Sequence, residues 1–188
     1  MDPKNKVALV TGGGSGLGLA LARALGLRGA TVVLADRDLS AAQNAARALQ
    51  ELGIAADHLS CDVASAQQVS EVVGEVMTRH GDIDILINNA GVALGGTSGE
   101  INLEDWRWIV DINLMGVVHG VEAVVPFMRK TGGYILNVAS LAGMHANPDM
   151  GPYNATKFAV VGYSEGLQQE LAGANIGVSV LCPAWIKT

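Results

Sequence analysis

Tyr153 and Lys157 stand four residues apart in the run Tyr153-Asn154-Ala155-Thr156-Lys157. On a helix that spacing puts both side chains on one face, one turn apart. A phenol beside an ammonium can give up a proton and take it back. An isolated Tyr titrates near pH ~10. A cation within a few ångströms favours the phenolate and moves that value toward working pH. Taken alone, the pair would also suit a solvated helix face, so its meaning depends on what positions it.

The elements around it alternate between short apolar runs and helical patterns. Residues 7–10, 31–35, 57–60, 83–87, 134–139 and 176–181 read as strands. Leu17, Leu21 and Leu25 trace a first helix, with Gly29 as its end. Leu39, Ala42, Ala46 and Leu49 give a second, stopped at Gly53. Ser65 with Gln68 resembles a capping box ahead of a third, whose face carries Val69, Val72, Val73, Val76 and Met77. Residues 105–129 read as one long helix and 153–171 as another. This alternation predicts an α/β fold, a doubly wound parallel sheet with helices on both faces. No linker or repeat divides it, so residues 1–188 are read as one domain. Its ligand should lie beyond the carboxyl ends of the strands, where the strand order reverses.

The first strand runs into Thr11-Gly12-Gly13-Gly14-Ser15-Gly16-Leu17-Gly18, which opens the first helix. Gly12, Gly14, Gly16 and Gly18, with Ser15 and Leu17, are the candidate pyrophosphate cradle. Glycines permit a tight turn and close backbone approach, and the helix N-terminus supplies free N–H groups and partial positive charge. The glycine spacing differs from Gly-x-Gly-x-x-Gly. The second strand ends at Asp36, 18 residues beyond Gly18. A carboxylate there can accept from both ribose hydroxyls and repels a 2′-phosphate, so NAD is expected over NADP. Arg37, the next residue, is the feature that could favour NADP.

Composition narrows the field. Of 188 residues, 49% are hydrophobic and 16% charged, the balance of a folded domain rather than of disorder. The net charge of −6, with no run of Lys or Arg, argues against nucleic acid as a partner. Cys61 and Cys182 make no disulfide framework, and with the four histidines they show no metal-ligand spacing, so no metal is expected. The N-terminus has neither a signal-peptide core nor a membrane span, and a cytoplasmic protein without a membrane partner is expected.

Together these motifs resemble the short-chain dehydrogenase/reductase family over nearly the whole chain. Thr11–Gly18 looks like its cofactor turn and Asp62-Val63 like its adenine-contacting pair. Asn88-Asn89-Ala90-Gly91 is similar to its signature after the fourth strand, with Asn89, Ala90 and Gly91 toward the cofactor. Asn113 falls at its helix-interrupting Asn, and Ser140, Tyr153 and Lys157 complete its catalytic tetrad. The resemblance implies a Rossmann-like sheet in the order 3-2-1-4-5-6. It also implies an NAD-dependent oxidoreductase interconverting a secondary alcohol and a ketone. Tyr153 would be the acid/base. Lys157 would lower its pKa and hold the nicotinamide ribose. Ser140 would steady the substrate oxygen, and Asn113 would bind a relay water. Each has a plainer alternative: a loop cap, a helix break, a surface lysine.

The residues Pro183, Ala184, Ile186 and Thr188 resemble the family segment that contacts the nicotinamide carboxamide, with Ala184 in place of its usual Gly. The family continues with a substrate cover, a seventh strand and more helices, so the chain is expected to be incomplete, its seventh strand absent. Ser140, Met144, His145 and Tyr153 are the candidate substrate contacts, with Asn147 and Met150 on the same wall. They suggest a small-molecule substrate, a medium-sized, partly apolar alcohol or ketone. Two other readings remain: a 3-oxoacyl-thioester reductase using NADPH, and a non-catalytic nucleotide-binding scaffold. Apolar excess on the helices near 105–129 and 153–171, which pair subunits in the family, predicts a homodimer or homotetramer.

Overall fold

The computed structural model describes residues 1–186. The apolar runs become strands because branched aliphatic side chains are covered on both faces, as a parallel sheet requires. Among the described residues they are β1 (Val7–Thr11), β2 (Thr31–Asp36), β3 (Ala56–Ser60), β4 (Ile85–Asn88), β5 (Gly133–Val138) and β6 (Ile176–Leu181). All pair in parallel in the order β3-β2-β1-β4-β5-β6, the order expected. The helices between them are α1 (Gly16–Gly26), α2 (Leu39–Glu51), α3 (Ala66–His80), α4 (Leu103–Val110), α5 (Gly116–Thr131) and α6 (Gly151–Leu171).

Two apolar layers sandwich the sheet. Ala8, Val10, Val32 and Leu34 pack with Ala46 and Leu49 of α2 on one face. Leu9, Val33, Leu86 and Ile135 pack with Val73, Val124 and Leu171 of α3, α5 and α6 on the other. The chain moves from one side of β1 to the other between β3 and β4. The carboxyl ends of β1 and β4 therefore open the crevice expected of a doubly wound sheet. Leu103–Thr131 is long and apolar enough to cross a membrane by length and composition. Its Ile109, Val117, Val121, Val124 and Met128 are instead buried in this core.

Three local expectations need correction. Helix α1 ends at Gly26, and Gly29, at φ +90°, sits in the turn beyond it. Ser65 does cap α3, but Gln68 turns its Oε1 to the Asp62 N–H at 2.9 Å, so the capping box is only half made. The single helix read over 105–129 is interrupted by a π turn at Asp111–Met115. The widened turn accompanies an Asn113 side chain directed inward to polar partners, a packing demand that helical periodicity does not record.

Candidate active site

At the carboxyl end of β1 the chain makes a tight turn with Gly12 at φ +60° and Gly16 at φ +53°. A Cβ on Gly18 would collide with the Gly12 carbonyl oxygen, so the turn and the first helical residues close on one another only with glycine there. Asn89 locks this turn. Its Nδ2 donates to the carbonyls of Thr11 at 3.0 Å and Gly12 at 3.1 Å. Thr11 Oγ1 in turn accepts the N–H groups of Asn89 and Ala90 at 3.0 and 3.1 Å. Thr11 was not singled out as a site residue, although a hydroxyl on the last strand residue before a glycine turn is a readable signal.

Helices α2, α3 and α4 begin with side-chain caps from Asp38, Ser65 and Asn102. Helix α1 does not: Ser15 makes no side-chain cap bond, and no acidic residue occupies the first turn. Its N–H groups and partial positive charge face a cleft of about 340 Å³. Gly12, Ser15, Gly16, Leu17, Asp36, Arg37, Asp62, Val63, Asn89, Ala90 and Gly91, all candidate cofactor contacts, line it together. Cys61, Val92 and Ile112 line it too and were missed, being ordinary apolar residues in the sequence. Gly14 and Gly18 shape the turn from behind and do not border the cleft.

Asp36 ends β2 at the far side of this cleft. Its Oδ2 accepts the Gly14 N–H at 3.0 Å and its Oδ1 the Asp38 N–H at 3.1 Å. Each oxygen keeps a lone pair for a further donor. Burial, reinforced by the carboxylates of Asp62 and Asp36, pushes the Cys61 thiol up to about 11. An uncapped helix N-terminus, a turn with no room for side chains and a paired acceptor beyond it suit a pyrophosphate joined to a ribose.

Beyond the glycine turn lies the predicted tetrad. Helix α6 presents Tyr153 and Lys157 one turn apart, with Lys157 Nζ 5.7 Å from the centre of the Tyr153 ring. Lys157 is only 4% exposed and donates to the Val138 carbonyl at 3.1 Å. Burial is the leading cause that brings its pKa down from 10.5 to about 8, with Cys182 opposing. Asn113 is fully buried. Its Oδ1 accepts the Val92 N–H at 2.8 Å; its Nδ2 donates to the Val92 carbonyl at 2.9 Å and to Thr156 Oγ1 at 3.2 Å. Both amide N–H positions are therefore engaged by protein. Thr156 passes the connection on to the Tyr153 carbonyl at 2.9 Å.

Ser140 follows β5, and its Oγ accepts the Ala142 N–H at 3.1 Å. Ser140 and Tyr153 border a second cavity of about 530 Å³, with Pro183 and Ala184 on another side. Asn147 and Met150 are on its wall, as expected, together with Leu141, Ala142 and Pro148. Met144 and His145, predicted as substrate contacts, are not on it. The turn at Leu141–Gly143 and the bond from the His145 N–H to the Leu141 carbonyl carry both outward, and both are exposed. Trp185 lies at the rim, fully exposed, and went unrecognised because nothing in its neighbours marks a cavity. Ile186 borders neither cavity, and Thr188 lies outside the described residues.

Comparison with known proteins bears on the family and the fold. The family model described as short chain dehydrogenase matches residues 6–188. A 3-oxoacyl-(acyl-carrier-protein) reductase of Thermotoga maritima is 34% identical over 189 residues, covering 100% of this chain and 77% of that protein. A short chain dehydrogenase/reductase of Burkholderia phymatum, solved in complex with NAD, superposes with a TM-score of 0.96 at 38% identity, over 99% of this chain and 68% of that one. A gluconate 5-dehydrogenase of Burkholderia cenocepacia, solved with NADP and tartrate, gives 0.94 at 37% identity, over 98% and 73%.

Proposed function

The chain belongs to the short-chain dehydrogenase/reductase family of oxidoreductases, and from that premise we propose that it interconverts an uncharged secondary alcohol and its ketone with NAD. Residues 1–188 are read as one dinucleotide-binding catalytic domain. The observation that carries the reading is the buried Lys157 ammonium beneath the ring of Tyr153, at a cavity that Tyr153 shares with Ser140. The residues described on that cavity include no Asp, Glu, Lys, Arg or His. A neutral, partly apolar carbonyl compound suits such a wall, because a charged group there would be desolvated without a partner.

Ser15, Gly16 and the first turn of α1 would hold the pyrophosphate, Asp36 the adenosine ribose, and Asp62 and Val63 the adenine. A bound nicotinamide supplies the hydride donor or acceptor. Tyr153 moves the proton of the substrate oxygen, and the neighbouring Lys157 charge favours its phenolate. The Ser140 hydroxyl accepts from Ala142 and so keeps its own proton for the substrate oxygen, where charge develops. A relay water at Asn113 would have to donate to its Oδ1 or to the main chain of its π turn, since both amide N–H positions are engaged.

Asp36 supports NAD over NADP, because its carboxylate faces the same cleft as the helix N-terminus and repels a 2′-phosphate. Similarity to the Thermotoga reductase favours a second reading, reduction of a 3-oxoacyl thioester. The test is initial-rate kinetics on a panel of neutral ketones, secondary alcohols and a 3-oxoacyl thioester with NAD(H) and NADP(H). Turnover of the neutral compounds with NAD(H), reduced about 100-fold or more in Tyr153→Phe, is the expected result. Turnover of the thioester alone supports the second reading. Unchanged rates in Tyr153→Phe overturn the assigned acid/base.

A further inference from the structure

Asn154 follows Tyr153 in sequence and is only 8% exposed, yet the chemistry described above does not use it. Its amide grips a single backbone residue from both sides. Nδ2 donates to the Asn147 carbonyl at 2.7 Å, and Oδ1 accepts the Asn147 N–H at a longer 3.4 Å. This is the pairing that a neighbouring strand would supply, offered by a side chain to a loop with no strand beside it.

The same loop is tied once more near its end. The Gly96 N–H donates to the Asp149 carbonyl at 2.7 Å, and Gly96 bridges Met150 in parallel. At the second tie Asp149 holds a left-handed φ of 58°, uncommon for a residue with a side chain. Asn147, Pro148 and Met150 of this segment form one wall of the 530 Å³ cavity. Elsewhere in the site, Asn113 makes the same two-sided contact with Val92, which borders the cofactor cleft. Each cavity thus has one lining residue gripped by a carboxamide, Asn147 by Asn154 and Val92 by Asn113.

We propose that Asn154 is a positioning residue that sets the distance between this wall and the Tyr153 hydroxyl, and thereby the size of ketone or alcohol the protein accepts. The proposal rests on reading that cavity as the substrate site. Asn154 shares its backbone with Tyr153, so the wall is referenced to the acid/base itself. Without the amide, the wall keeps its ties near Asp149 and Met150, to Gly96 and to the Asn154 N–H, and the stretch at Asn147 and Pro148 loses its own. A carboxamide is the side chain of this length that offers donor and acceptor together. An Asp would set a second acceptor against the Asn147 carbonyl, and an Ala would leave the Asn147 N–H and C=O without this protein partner.

Asn154→Ala and Asn154→Asp test this, each compared with the unaltered chain in two measurements. The first is hydrogen exchange of the peptide spanning residues 144–150. It should quicken about tenfold or more in both variants while the peptide over β1 keeps its protection. The second is kcat/KM across neutral ketones of increasing substituent size. The ratio between bulky and small members should change by about tenfold, carried by KM rather than kcat. Unchanged exchange in a folded variant overturns the clamp. Quickened exchange with an unchanged ratio overturns the role in size selection. Should Asn154→Ala fail to fold, Asn154→Asp carries both comparisons. If the unaltered protein turns over no ketone or alcohol in the panel, the substrate-site reading fails and the size-selection role with it, while exchange still decides the clamp.

Discussion

Lys157 Nζ lies 5.7 Å from the centre of the Tyr153 ring while donating to the Val138 carbonyl at 3.1 Å. The ammonium is carried by helix α6 and held by strand β5, so the strand and the helix that follows it together fix one electrostatic pair. The first prediction concerns the stability of the ligand-free protein against pH. Burial disfavours the ammonium, so Lys157 titrates at about 8 in the fold and at its ordinary 10.5 in the unfolded chain. Between those values the unfolded chain binds more protons, and stability rises with pH. The contribution is full above 10.5 and lost as pH falls through about 8. Lys157→Met should flatten this rise in urea unfolding measured from pH 7 to 10.5, while abolishing turnover. A variant with an unaltered slope overturns the assignment.

Asp36 should decide between the cofactors. Its two oxygens already accept from Gly14 and Asp38, and a 2′-phosphate would meet its charge. Asp36→Ala should shift the ratio of NADH to NADPH affinity about tenfold toward NADPH, as expected for loss of charge-assisted hydrogen bonds and of repulsion. Nicotinamide fluorescence titration reads this directly. Tighter NADPH binding by the unaltered protein contradicts the NAD preference.

Asn113 is predicted to matter for folding as well as for catalysis. Replacing it with Ala leaves the Val92 N–H and carbonyl and the Thr156 hydroxyl without their partner in a buried place. The cost should be about 2–4 kcal/mol in urea unfolding. A loss of activity with unchanged stability would assign the residue a purely chemical role.

Gly18→Ala should weaken cofactor binding without touching the cleft. The added methyl meets the Gly12 carbonyl and the Asn89 amide, both part of the locked turn. A destabilisation of about 1–3 kcal/mol is expected, with a raised Kd for NADH. Thermal unfolding and fluorescence titration test the two effects separately.

Assembly into a homodimer or homotetramer through the stretch 105–129 and α6 is a further expectation. The Tyr163 hydroxyl is buried without a hydrogen-bond partner among the described residues, and Phe158 and Trp108 are exposed aromatics. Burial, with Glu122 and Glu170, pushes the Tyr163 pKa up to about 12. Light scattering at micromolar protein should give a multiple of 19.4 kDa; a monomer mass contradicts assembly.

Legibility in the sequence follows the range of the interaction concerned. The strands were readable because continuous aliphatic runs bounded by glycine have few other uses. Asp36, the glycine turn and the Tyr153–Lys157 spacing were readable because each is local and chemically demanding. Met144 and His145 stand off the cavity wall because the turn at Leu141–Gly143, which rotates them outward, depends on the bond from the Leu141 N–H to the Pro183 carbonyl as well as on its own residues. Trp185, Cys61, Val92 and Ile112 carry no local pattern that distinguishes a cavity wall from a core.

The sequence by itself determined the periodicities, hence the alternation of strand and helix, and the residue types able to hold a dinucleotide and move a proton. Those follow from backbone geometry and side-chain chemistry within a few residues. Only the tertiary structure decided that Lys157 is buried against Val138, that Asn113 widens a helix to clasp Val92, and that Asn154 pins Asn147. Those contacts span 19, 21 and 7 residues, each longer than a single helical turn or strand repeat can register. Which buried polar group finds which partner is settled by packing and by the need to satisfy every desolvated donor and acceptor.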